Sequence, residues 1–314
     1  MNRVAKLLNG KLLLGVLWLS FASLWCQVST VTAFAARPLL SQTSPAVAIL
    51  DSANTRNYFR QHYPSCSPSG SYYLGADEYQ RYFRGWEYVL LTNGIGYTII
   101  SDADIENGRL DNFLLLILSN TASLSDSEEH IIERWVRSGG RLLATFGSGY
   151  KDVVTDLHQL DDGLKLQSGG TSGLHSLWHD PYSKLFTTTV FAPGINVQIS
   201  SYAGPTAGLT NQLINNVLPY GAAGNLLSSG NSANAYGYLI VPNYTKPAPA
   251  ILLTNAGRGT ALYFAFAPEY LVSKEFDEFI FPPSLRCPDG QNWSGRSTKL
   301  RILMRDAVLL LLNQ

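Results

Sequence analysis

The chain has 314 residues, of which 46% are hydrophobic and 15% charged, with 23 basic and 23 acidic side chains and a formal net charge of zero. A balance of that kind without a basic run argues against nucleic acid as a partner. The length allows one large domain with its own core.

The first predicted element is an export signal over residues 1–35. Arg3, Lys6 and Lys11 precede the apolar run "LLLGVLWLSFASLW", and "TAFA" ending at Ala35 offers small residues for cleavage. A membrane anchor needs about 20 apolar residues, and this run is shorter and breaks at Gln27. Lipidation of Cys26 is disfavoured by the bulk of Trp25 beside it. The expectation is a secreted or periplasmic protein, free of the membrane after cleavage, with one domain over 36–314. Removing the signal leaves 20 basic against 23 acidic residues, a formal charge of −3. Cys66 and Cys287 remain, both in Pro- and Ser-rich loops. In an oxidising compartment they either form a disulfide, worth roughly 5 kcal/mol across so long a loop, or stay as two thiols.

From residue 46 short apolar runs alternate with helical patterns, as in a parallel sheet covered by helices. "AVAIL" (46–50) reads as a strand ending at Asp51-Ser52. In "DEYQRYFRGWEYVLLTNG" (77–94), Tyr79, Phe83, Trp86, Val89 and Leu90 share one helical face, and Gly94 stands where a helix C-cap belongs. "YTIIS" (97–101) is a second strand. "FLLLILS" (113–119) lacks alternation, as expected of a strand buried on both faces. Ser125 precedes Glu128 at capping-box spacing ahead of "HIIERWV". That helix stops at Gly139-Gly140, and "RLLATF" (141–146) is a fourth strand. Right-handed crossovers then place helices on both faces of the sheet.

Residues 150–245 are irregular and rich in Gly, Ser, Asn and Thr, with "FTTTVF" and "NVQISSY" as short strands elaborating the same domain. "PAILLTN" (249–255) and "ALYFAFA" (261–267) form a hairpin through Gly257-Arg258-Gly259. The final predicted helix places Leu300, Leu303, Ala307 and Leu310 on one face.

The stretch "DADIENGRLDNFLLLILSNTASLSDSEEHIIERWVRSGGRLLATFGSG" (102–149), with "GRGTALYFAFAPEYL" (257–271) and a final helix, resembles the class I glutamine amidotransferase-like fold. More closely it resembles the version of that fold in the trimerisation domain of family 42 β-galactosidases. The resemblance implies a flavodoxin-like α/β sheet and leaves 150–245 as a β- and loop-rich insertion. In working amidotransferases a cysteine stands at the tip of the strand matching "RLLATF", and a His-Pro-Glu near the domain's end. Here the tip reads Gly147-Ser148-Gly149 and the second motif Ala267-Pro268-Glu269. Only Glu269 matches, so the resemblance implies neither thiol nor imidazole for glutamine hydrolysis.

Ser148 could serve another base, but Phe146 and Tyr150 occupy the outer positions of a Gly-x-Ser-x-Gly elbow. The alternative is a small residue in a glycine turn. In "HSLWHD" (175–180), His175 and His179 with Asp180 are candidate metal ligands, against ordinary loop histidines between Gly169-Gly170 and Pro181. A ligand, where one exists, would occupy the crevice beyond the strand tips, lined by Asp51, Ser52, Asp102, Ser119, Asn120, Ser148 and Tyr150. Asp51 and Asp102 are either paired carboxylates for acid/base work or caps of helices and turns. Loop aromatics, among them Tyr72, Trp178, Tyr202 and Trp293, suit sugar stacking or loop packing.

No Walker lysine or dinucleotide spacing appears, and no cofactor is expected. Three functions follow: a secreted, non-catalytic domain binding a carbohydrate or protein partner; an extracellular hydrolase of glycan or peptide using Ser148 or a His175/His179 site; and a homo-oligomerisation module. The missing sulfur and imidazole favour the first.

Overall fold

A computed structural model describes residues 46–62, 76–149, 151–152, 186–191, 196–199, 209, 212–215, 217, 223–227, 233–240, 248–276 and 294–314, and among these described residues caps, turns and apolar runs mark out thirteen strands and six α-helices. The signal segment, Cys66, Tyr150, His175, His179, Asp180 and Cys287 lie outside the described residues.

The strands are β1 Val47–Leu50, β2 Tyr97–Ile100, β3 Leu115–Leu118, β4 Ser123–Leu124, β5 Arg141–Ala144, β6 Lys151–Asp152, β7 Phe186–Phe191, β8 Asn196–Ile199, β9 Leu213–Ile214, β10 Ala223–Leu227, β11 Ala233–Ile240, β12 Ala248–Ala256 and β13 Gly259–Phe264. The helices are α1 Ala53–His62, α2 Ala76–Thr92, α3 Asp102–Glu106, α4 Asp126–Arg137, α5 Pro268–Glu275 and α6 Thr298–Leu312. Nine strands form one sheet in the order β2-β1-β3-β5-β13-β12-β11-β8-β9. The first five are parallel and, counted along the chain, lie in the order 2-1-3-4-5, the flavodoxin-like arrangement. The chain reverses direction across the sheet between β1 and β3, and in open sheets of this kind a ligand, where there is one, sits beyond the carboxyl ends of such a switch point.

Burial explains the parallel half. Every residue of β1, β3 and β13 is buried, so no alternation survives in their sequences. The α2 face is as expected: Tyr79, Phe83, Trp86, Val89 and Leu90 are all buried. Helix α4 carries the full capping box, with Ser125 Oγ accepting from the Glu128 amide and the Glu128 carboxylate accepting from the Ser125 amide. In α6 the buried face is Leu300, Leu303, Met304, Ala307, Val308 and Leu311. Leu310, expected on that face, is only half-buried, because the stripe turns toward Leu311 at the last turn.

The antiparallel half goes beyond the expected parallel sheet. A two-residue turn, Gly257-Arg258, joins β12 to β13 and leaves no room for a crossover, so the sheet continues antiparallel from there. "NVQI" extends the main sheet as β8, whereas "FTTTVF" pairs with β10 in a separate two-stranded ribbon. Strand β11 gives no alternating signal because its register against β12 shifts on both sides of Gly237. A Cβ at Gly237 would lie 2.9 Å from the Ile251 side chain, which keeps that strand position small.

Candidate functional site

The strand tips bring together two polar clusters. The first surrounds the start of α1. Ser52, two residues past the end of β1, caps α1: its hydroxyl accepts from the Thr55 amide at 3.0 Å and its carbonyl from the Arg56 amide at 3.1 Å. Asp51 is ion-paired with Arg56, and both side chains are about one-third exposed. Asp102, the first residue of α3, sends its carboxylate across to α1, where Oδ2 accepts from the Asn54 amide at 3.0 Å. Its role is therefore capping, but of a helix 48 residues away and not of its own. The Asn54 side chain donates to Glu128 Oε2 at 3.1 Å. Burial, with the Asp102 charge beside it, raises the Glu128 carboxyl to about 7. Sequence reading identified Glu128 only as a cap; its approach to Asn54 and Asp102 depends on the crossover.

The second cluster surrounds the tip of β3. Ser148 lies between two left-handed glycines, Gly147 at φ 79° and Gly149 at φ 69°, and is fully buried. Its hydroxyl donates to the Leu118 carbonyl at 3.1 Å and accepts from the Thr121 amide at 3.3 Å. A nucleophilic serine presents its oxygen to solvent at the top of the sheet, whereas this one ties two loops together. His130, the one histidine whose side chain is described, is exposed and engages Asp126 of its own helix. Among the described residues no group of three His, Cys, Asp or Glu could hold a metal ion.

Asn120 has φ 44°, the only non-glycine residue with a positive φ among those described, and asparagine tolerates that backbone better than most residues. Its amide donates to Thr145 Oγ1 at 2.9 Å, and the Thr145 hydroxyl donates to Glu269 Oε1 at 2.5 Å. Glu269 is fully buried at the start of α5, and desolvation pushes its carboxyl up to about 8. Its second oxygen has no hydrogen-bond partner of normal geometry, although the Trp86 indole lies beside it. A Cβ on Gly85 would sit 2.2 Å from the Glu269 carbonyl oxygen, so α2 and α5 meet backbone to backbone there. Ser148, Asn120 and Glu269 thus converge on one tip, while Asp51, Ser52 and Asp102 form the other cluster. Thr145 and Asn54, which hold the clusters together, were not singled out from sequence, because a lone polar residue beside a strand or cap carries no pattern.

Ser148→Ala removes a buried donor and acceptor, taking the Thr121 amide's acceptor away, while the Leu118 carbonyl keeps the Thr145 amide. The expected loss is about 1–3 kcal/mol, seen as a lower unfolding midpoint in urea.

No family model and no curated relative matches the chain. Among solved structures it is similar to a β-galactosidase from Bacillus circulans sp. alkalophilus, at 17% identity and a TM-score of 0.52, over 71% of this chain and 28% of that one. It also aligns with a ThuA-like protein from Bacteroides uniformis, at 12% identity and a TM-score of 0.47, over 88% and 94% of the two chains. The chain thus spans less than a third of the galactosidase. The galactosidase likeness is one of fold. With the strand order, it agrees with a flavodoxin-like α/β architecture.

Proposed function

We propose that the protein is an exported, non-catalytic amidotransferase-like domain that binds a carbohydrate or a protein partner at its strand-tip crevice. The observation that carries this reading is the inward orientation of the two candidate catalytic groups. The Ser148 hydroxyl is used up on Leu118 and Thr121, and Glu269 is sealed in the core on Thr145. Neither can reach a substrate without breaking the tip that positions it. The trimerisation-domain resemblance of 102–149 and 257–271 favours the galactosidase version of the fold, and with it a carbohydrate setting. Export rests on the pattern of residues 1–35.

The test pairs a glycan array with a panel of chromogenic glycosides, esters and peptides, using the mature protein. Binding without turnover is expected. Turnover that vanishes in Ser148→Ala, while the variant stays folded, would overturn the proposal in favour of a hydrolase.

A further inference from the structure

Three helices begin at one point beyond the strand tips. Asn54 stands in the first turn of α1, Asp102 opens α3, and Glu128 lies in the first turn of α4. Asn54 bridges the two carboxyl groups, its amide on Asp102 Oδ2 and its side chain on Glu128 Oε2. That leaves Asp102 Oδ1 and Glu128 Oε1, both buried and neither accepting from any donor. Both carboxyl groups are thereby held against the single residue Asn54, and Glu128 is fully buried. Two carboxylates on one residue, each with a buried oxygen that lacks a donor, repel each other in a low dielectric; a proton shared by the pair removes the conflict.

We propose that Asp102 and Glu128 share one proton and act as a pH-operated latch that joins the starts of α1, α3 and α4 around the crevice. As pH rises the shared O–H releases its proton to solvent, two like charges face each other, and the three helix starts separate.

The surrounding charges do not replace that proton. From the β1–α1 junction, Asp51 is held by Arg56. On α3, Asp104 is held by Arg109, and Glu106 accepts from Ser125. On α4 the nearby groups are Asp126, Glu129 and His130, the last turned to the Asp126 carbonyl. From α2 the buried Tyr79 phenol accepts from the Ser52 amide, and burial raises it well above its ordinary range. The Glu128 carboxyl is raised from about 4.5, so the latch is fully closed below that value and opens as pH climbs through about 7.

The inference does not depend on what the crevice binds. It is tested by hydrogen exchange of the α1, α3 and α4 first turns, corrected for intrinsic rate, at about pH 5.5 and about pH 8.5. In the wild-type protein, protection is expected to fall roughly tenfold or more between the two. Glu128→Gln should flatten the profile, since its amide donates to Asp102 at any pH while its carbonyl keeps the Ser125 and Asn54 bonds. Asp102→Asn provides the same readout should the first variant fail to fold. An equal fall in folded variants, a flat wild-type profile, or protection at high pH that requires added calcium would each overturn the latch, the last in favour of a cation site.

Discussion

Gly259→Ala is expected to destabilise the protein by about 3 kcal/mol or more, at the upper end of what overpacking costs. A Cβ there would stand 2.0 Å from the Val136 carbonyl oxygen and 2.2 Å from that of Gly140. Both belong to backbone at the end of α4 and the entry to β5, so no rotamer change can make room. The whole β12–β13 turn is seated on this spot: the Arg258 amide donates to the Arg137 carbonyl at 2.9 Å, and a Cβ at Gly257 would lie 2.4 Å from the same oxygen. Gly94→Ala is the control. It has φ 68° with open space around it, so it should cost only about 1 kcal/mol of backbone strain. Urea midpoints of the two variants at neutral pH measure the difference, and equal midpoints would refute the seating.

The second large effect is on pH. Burial lifts Glu269 to about 8 and Glu128 to about 7, each from an ordinary value of about 4.5. Folded values above unfolded ones mean that the unfolded chain gives up these protons first. Their stabilising contribution is complete below about 4.5 and disappears as pH rises through 7 to 8. Glu269 alone accounts for up to about 5 kcal/mol across that window, so the melting temperature should drop by on the order of 10 °C between about pH 5 and about pH 9. Glu269→Gln keeps an acceptor for Thr145 and cannot ionise. It should therefore melt higher than wild type at the alkaline end and close to it at the acidic end. Calorimetry across the range decides, and parallel curves for the two proteins would show that Glu269 does not carry the effect.

The parallel half of the fold is legible in the sequence because its determinants are local. Strands buried on both faces read as unbroken apolar runs, and the Ser125–Glu128 box marks the start of α4. In the antiparallel half the β12–β13 hairpin and β8 are legible, from apolar runs around a glycine turn and from "NVQI", but β9 and β11 are not. The bulge at Gly237 erases the period of β11, and β9 has only two residues, too few for any pattern. At the tips the sequence places the right residues but not their orientation. Position alone cannot show that Ser148 faces Leu118, or that Asp102 reaches over to α1, because both depend on how β1, β3 and β5 lie side by side.

The bond from the Asn54 amide to Asp102 also occupies the start of α1. In sheets of this kind the first helix start after β1 is a natural seat for phosphate, with free amides and the positive end of a dipole turned outward. Here that seat is filled from within by a carboxylate, with the Glu128 carboxyl beside it. A nucleotide or sugar phosphate arriving at this point would be repelled, whereas an uncharged polyol or an ammonium group would not.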